Sequence, residues 1–153
     1  MKKYKTLIIS IAIPLLIGVV SGFLTMNSMD TYKELLLPKY APPGYLFPIV
    51  WTILYILMGF ASYLVYQSND EDKNKVLLLY GIQLVMNFIW PILFFNLHAY
   101  LLSTVWLLLL FALVIIVTYL FFKINHIAGY LMIPYVLWLG FALYLNFNIF
   151  LLN

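Results

Sequence analysis

Cysteine and arginine are both missing from this sequence of 153 residues, and charged side chains make up only 8% of it. Without cysteine there can be no disulfide framework, no thiolate nucleophile and no zinc–thiolate site. Without arginine the planar fork that favours phosphate and nucleic-acid recognition is gone, and the net charge of +3 comes from lysine alone. Soluble domains carry about 25% charged residues. A chain this short, 66% hydrophobic, could not hide its apolar surface from water, so lipid must be the solvent for most of it. The composition therefore specifies an all-α integral membrane protein, read as one domain over 1–153.

Charge is also missing from the interior of the apolar runs, which argues against an ion-coupled pump or a voltage sensor. No Ser–His–acid set, phosphate loop or paired carboxylate site can be assembled. His98 and His126 fall in turns at opposite ends of successive spans, so they cannot share a metal within one protomer. Each reads as a polar cap or interface residue more readily than as a haem ligand. The expectation is no metal and no required cofactor.

What the chain does have is five apolar runs, each long enough to cross a hydrocarbon core of about 30 Å. They fall at approximately 7–23, 45–66, 76–97, 100–122 and 127–152. The first, behind Lys2, Lys3 and Lys5, also has the shape of a cleavable leader. No clear small-x-small site follows it, and its removal would leave four spans, so it is read as helix 1. The acidic trio Asp70, Glu71 and Asp72 lacks the glycine and distal glutamate of a calcium loop and reads as a solvated turn. The connection at 25–44 is long for a loop and stiffened by Pro38, Pro42 and Pro43, with a short helix expected at 30–36 behind Asp30.

Six lysines (Lys2, Lys3, Lys5, Lys73, Lys75 and Lys123) fall on one side of this topology, and Lys33 and Lys39 on the other. The positive-inside rule then places the amino terminus in the cytoplasm, with the 25–44 loop and the carboxyl terminus outside. The lysine-only, Ile/Tyr/Phe-heavy composition suggests an AT-rich bacterial genome, hence a bacterial cytoplasmic membrane.

Helical spacing groups the remaining polar and aromatic side chains. Trp51, Tyr55, Met58 and Ser62 share a face of helix 2; Gln83, Asn87 and Trp90 share one of helix 3; Trp138, Ala142 and Asn146 share one of helix 5. Three such stripes either line a ligand cavity or bond the helices to one another. Gly59 and Ser62 suit close helix contact, and Gly81, Gly129 and Gly140 could permit subunit packing, though none of these three belongs to a GxxxG pair.

The stretch LPKYAPPG, Trp51, LYILMG and SYLVY in helix 2, QLVMNFIWPILFF in helix 3 and IPYVLWLGFALYLN in helix 5 resembles the TspO/MBR family, the tryptophan-rich sensory proteins and mitochondrial translocator protein. The resemblance covers nearly the whole chain. It implies a five-helix bundle, usually a homodimer, whose pocket under the first loop binds tetrapyrroles such as protoporphyrin IX. Synthetic ligands of the benzodiazepine-site type are further partners implied by the resemblance. The implied ligand-binding residues are Tyr32, Pro42, Pro43, Trp51, Asn87, Trp90, Trp138, Ala142 and Asn146. Light-dependent porphyrin degradation, reported for some members, would fall to Trp51 and Trp138. Transport of porphyrin or another apolar metabolite is the alternative activity. The sequence departs from the family at Thr31 and Tyr40, where tryptophan is common, and at Trp106, where an acid is common. Phe147 and Leu151 stand where the animal sterol motif needs a tyrosine and a base, which counts against a sterol partner.

Overall fold

The computed structural model describes residues 2–25 and 35–153. These residues form helices and no strands: α1 (Lys2–Thr25), α2 (Leu46–Tyr66), α3 (Lys73–Pro91), α4 (Tyr100–Ile124) and α5 (His126–Leu152). A π-helical turn, Ile92–Asn96, extends α3. Among the described residues all five helices are long and apolar enough to cross a membrane. This is an integral membrane protein. Tyr32 and Thr31 lie outside the described residues, as does the expected 30–36 helix except for Leu35 and Leu36, which are not helical.

Helix ends follow from local chemistry. Beyond α2, Lys73 Nζ donates to the carbonyls of Tyr66 and Ser68, both at 3.0 Å, satisfying oxygens the helix leaves over. In the following turn Asp70 Oδ1 accepts from Asp72 N at 2.8 Å, so one carboxylate of the acidic trio serves its own backbone. Asn125 caps α5, its Oδ1 accepting from Ile127 N (2.9 Å) and Ala128 N (3.2 Å). Pro91 cannot continue the α-helical ladder, and the chain widens immediately behind it into the π turn, closed by Leu97 N donating to Ile92 O at 3.0 Å.

The helices pack in the ring order α1, α2, α5, α4, α3, with α3 closing against α1. The α1–α2 seam depends on Gly59. A Cβ there would stand 2.6 Å from the Ile11 Cα and 2.7 Å from the Ser10 carbonyl oxygen, so only hydrogen lets the backbones approach this closely. Pro14 completes the fit: lacking an N–H, it leaves the Ser10 carbonyl without its helical donor, and that oxygen faces Gly59. Gly129 lies beneath the Phe122 ring and Gly140 against Phe111, so two glycines suited to subunit packing are occupied within the chain.

Cross-bundle bonds identify which ends lie together. Asn96 Nδ2 donates to Leu24 O at 3.1 Å, and Asn153 bonds the backbone of Leu36. The end of α1, the α3–α4 turn, the proline strap at 35–45 and the end of α5 thus share one end of the bundle. Leu35, Leu37 and Ala41 of the strap rest on the core, Pro42 is buried and Pro43 is exposed.

Candidate ligand site

Where the strap runs into α2, α2 and α5 bring five rings together. Phe47 and Trp51, in the first two turns of α2, meet Trp138 of α5 at ring-centroid distances of 6.0 and 6.4 Å, both edge-on. Trp51 also stacks on Tyr55 (5.5 Å) and presents an edge to Tyr135 (6.1 Å). The two tryptophans are half-buried, whereas Tyr55 and Tyr135 are inside the core. Helical spacing explains the assembly. Residues 47, 51 and 55 advance by four along α2, and 135 and 138 by three along α5, so each set occupies one face.

The amides do not line an open cavity. They bond to each other and to the tyrosines, filling the space between α2, α3 and α5. Tyr55 donates to Asn87 Oδ1 at 2.7 Å, Asn87 Nδ2 to the Tyr135 oxygen at 2.8 Å, and Tyr135 to Gln83 Oε1 at 2.6 Å. Gly18 of α1 makes room for this chain, since a Cβ there would strike the Tyr55 ring. A second set joins α3, α4 and α5. Trp90 Nε1 donates to Asn146 Oδ1 at 2.9 Å, and Asn146 Nδ2 to Thr104 Oγ1 at 3.0 Å and Tyr100 O at 3.2 Å. Ala142 is buried between Trp138 and Asn146 along α5. Lipid offers a buried amide no partner, and the amide stripes found theirs in neighbouring helices.

One donor at this end has been left over. Trp138 Nε1 is buried without a hydrogen-bond partner among the described residues. The two other such atoms, Tyr63 Oη and Thr118 Oγ1, sit far from the strap along α2 and α4. By contrast, the indoles of Trp90 and Trp106 are satisfied, the latter by Met86 O at 2.9 Å. Buried donors are seldom left unpaired, and this one sits beside the half-buried Trp51 ring and the buried Phe47 ring.

The described side chains here are tryptophan, tyrosine, phenylalanine, alanine and amide. Such side chains can stack a flat ligand and donate to it. A surface groove of about 530 Å³ opens at the same end, between His98 and Tyr100 at the start of α4 and Phe150 and Asn153 at the end of α5.

Of the sequence-derived site residues, the fold brings together Trp51 and Trp138 under the strap, Asn87 below them, and Trp90 with Asn146 alongside Ala142. Tyr135, Phe47 and Thr104 were not singled out by the sequence. The first two carried a legible signal, three residues before Trp138 and four before Trp51. Thr104 carried none, because its role depends on tertiary contact with a residue 42 positions away.

The chain of bonds predicts a stability test. Tyr135→Phe removes the partner of Gln83 Oε1 and of Asn87 Nδ2, and buried orphans cost about 1–3 kcal/mol each by soluble-protein measure. Membrane-protein cycles averaging about 0.6 kcal/mol per bond set the lower bound. The detergent unfolding midpoint should fall for Tyr135→Phe and should not fall for Tyr63→Phe, whose buried hydroxyl has no partner among the described residues.

Fold and site together define a five-span membrane bundle with an aromatic cluster between α2 and α5, built around Trp51 and Trp138. The chain belongs to the TspO/MBR family, whose sequence profile matches residues 10–152. It is 35% identical to the tryptophan-rich protein TspO of Chlorobaculum tepidum over 99% of this chain and 98% of the relative. It is 36% identical to the protein of the same name from Archaeoglobus fulgidus, over 96% of each chain. The translocator protein of Homo sapiens is 32% identical over 83% of this chain and 77% of its own length.

Proposed function

We propose that this protein is a membrane receptor or regulator that binds a tetrapyrrole of the protoporphyrin IX kind under the strap, against Trp51 and Trp138. The observation that carries the proposal is the Trp138 indole N–H, unpaired among the described residues, beside the Trp51 and Phe47 rings. A flat macrocycle with peripheral carboxylates supplies both what the rings stack on and what the indole lacks. The family supports the choice of ligand. The protein acts as a homodimer in a bacterial cytoplasmic membrane, amino terminus inside and strap outside, in keeping with the lysine distribution.

The closed packing adds a requirement. Rings and bonded amides occupy the space between the helices, so the strap must move for a macrocycle to enter, with Pro42, Pro43, Trp90, Ala142 and Asn146 contacting the ligand after opening. Tyr32 is proposed to contribute from the preceding connection.

A titration with protoporphyrin IX in the dark tests the site. Saturable quenching of tryptophan fluorescence is expected, with most of it lost in the Trp51→Phe/Trp138→Phe double variant. No saturable quenching, or quenching unchanged in the variant, would remove the assignment. Illumination tests catalysis separately. If Trp51 and Trp138 react with the excited macrocycle, its main absorption band decays faster in the complex than in detergent alone.

A further inference from the structure

Leu36 has an exposed side chain, yet both its backbone polar groups are bonded, and both to one residue. Its N–H donates to Asn153 Oδ1 at 3.2 Å, and its carbonyl accepts from Asn153 Nδ2 at 3.0 Å. A primary amide presents donor and acceptor side by side, so one asparagine can pair with a strap residue much as a neighbouring strand would. The amide arrives already oriented. Asn153 Nδ2 also donates to Ile149 O at 2.9 Å, and the Asn153 backbone N–H donates to the same carbonyl at 3.0 Å. The pair therefore ties the strap to the last turn of α5, the helix that carries Trp138.

We propose that Asn153 is the latch of the strap: its amide pair with Leu36 holds residues 35–45 closed over the Trp51–Trp138 face, and its release admits the ligand. The gating role rests on the tetrapyrrole site proposed above; the latch itself does not. Two features fit a latch better than a fixed weld. Both bonds are exposed, so solvent competes for them and their net contribution is modest. The strap is also stiff enough to move as a unit: Ala41 N bonds Pro38 O at 3.1 Å, Leu46 N bonds Pro43 O at 3.0 Å, and Pro42 and Pro43 fix φ between those turns.

The test uses the full chain in lipid nanodiscs and compares wild type, Asn153→Ala, Asn153→Asp and Asn148→Ala. Among the described residues Asn148 bonds its own helix, at Tyr144 O, and serves as the control. Amide hydrogen exchange at Leu36 should accelerate about ten-fold in Asn153→Ala, the factor carried by one net hydrogen bond. Asn148→Ala should match wild type. Asn153→Asp, which keeps an acceptor for Leu36 N–H but loses the donor, should fall between them and substitutes if the alanine variant does not fold. Stopped-flow mixing with protoporphyrin IX in the dark should show association and dissociation both faster by a similar factor, with Kd changed by less than about three-fold. Unchanged Leu36 exchange in the Asn153 variants overturns the latch, and faster exchange with unchanged porphyrin kinetics overturns its gating role. Faster exchange with no porphyrin binding in any variant keeps the latch and rejects the tetrapyrrole site.

Discussion

Gly59→Leu is expected to detach α1 from the bundle without unfolding α1 itself. Even the first carbon of the new side chain would meet the Ile11 Cα and the Ser10 carbonyl oxygen inside 3 Å. Both are backbone atoms, so no rotamer change relieves the clash, and the helices must separate. Overpacking of this kind costs about 1–3 kcal/mol, sometimes more. Elsewhere α1 is held by its edge against α3 and the Asn96–Leu24 bond, while Ile8, Ile13, Leu16, Val19 and Phe23 all point outward. In lipid those side chains stay solvated and the helix keeps its internal bonds. Far-ultraviolet circular dichroism should therefore hardly change, while the thermal midpoint falls and Gly59→Ala lies between. An unchanged midpoint in Gly59→Leu would contradict the seam described above. The damage should also reach the site, since Gly18 on α1 braces the Tyr55 ring that bonds Asn87.

Trp138→Phe and Trp51→Phe are expected to weaken tetrapyrrole binding unequally. At Trp138 the substitution keeps a ring and removes an indole N–H that has no partner among the described residues. If the ligand presents a carboxylate, the lost bond is worth about 1.5–3 kcal/mol, a loss of roughly 10- to 150-fold in affinity; a neutral acceptor gives about 2- to 12-fold. At Trp51 the loss is only part of a stacking surface worth about 0.5–1.5 kcal/mol, so the effect stays under about ten-fold. Dark titrations of the two single variants supply the comparison. Equal losses, or a larger loss at Trp51, would mean that the Trp138 N–H is not the donor.

The five spans were legible because composition leaves no other solvent than lipid, and each run meets the length of a hydrocarbon core. Their ends were harder. α3 begins at Lys73 rather than 76, since lysines can continue a helix into the interface, and it finishes in a π turn that Pro91 precedes but no spacing rule announced. The stripes were found correctly as faces, with Trp51, Asn87, Trp90, Trp138 and Asn146 all turned toward neighbouring helices. Periodicity could not say whether those faces enclosed a cavity or each other. That depends on the distances between helices, which glycines such as Gly18 and Gly59 set through contacts invisible in one dimension. The Asn153–Leu36 tie was illegible for the same reason: 117 residues separate its partners.

The most direct measurement of the site is the indole N–H spectrum of ¹⁵N-tryptophan-labelled protein, titrated with protoporphyrin IX in the dark. The chain has four tryptophans, Trp51, Trp90, Trp106 and Trp138, so the spectrum is simple to assign by single substitution. The Trp138 resonance should shift saturably as its N–H gains an acceptor, while that of Trp106, held by Met86 O on the flank of the bundle, stays in place. A Trp138 resonance that does not move, or four resonances that move alike, would contradict a tetrapyrrole site at Trp51 and Trp138.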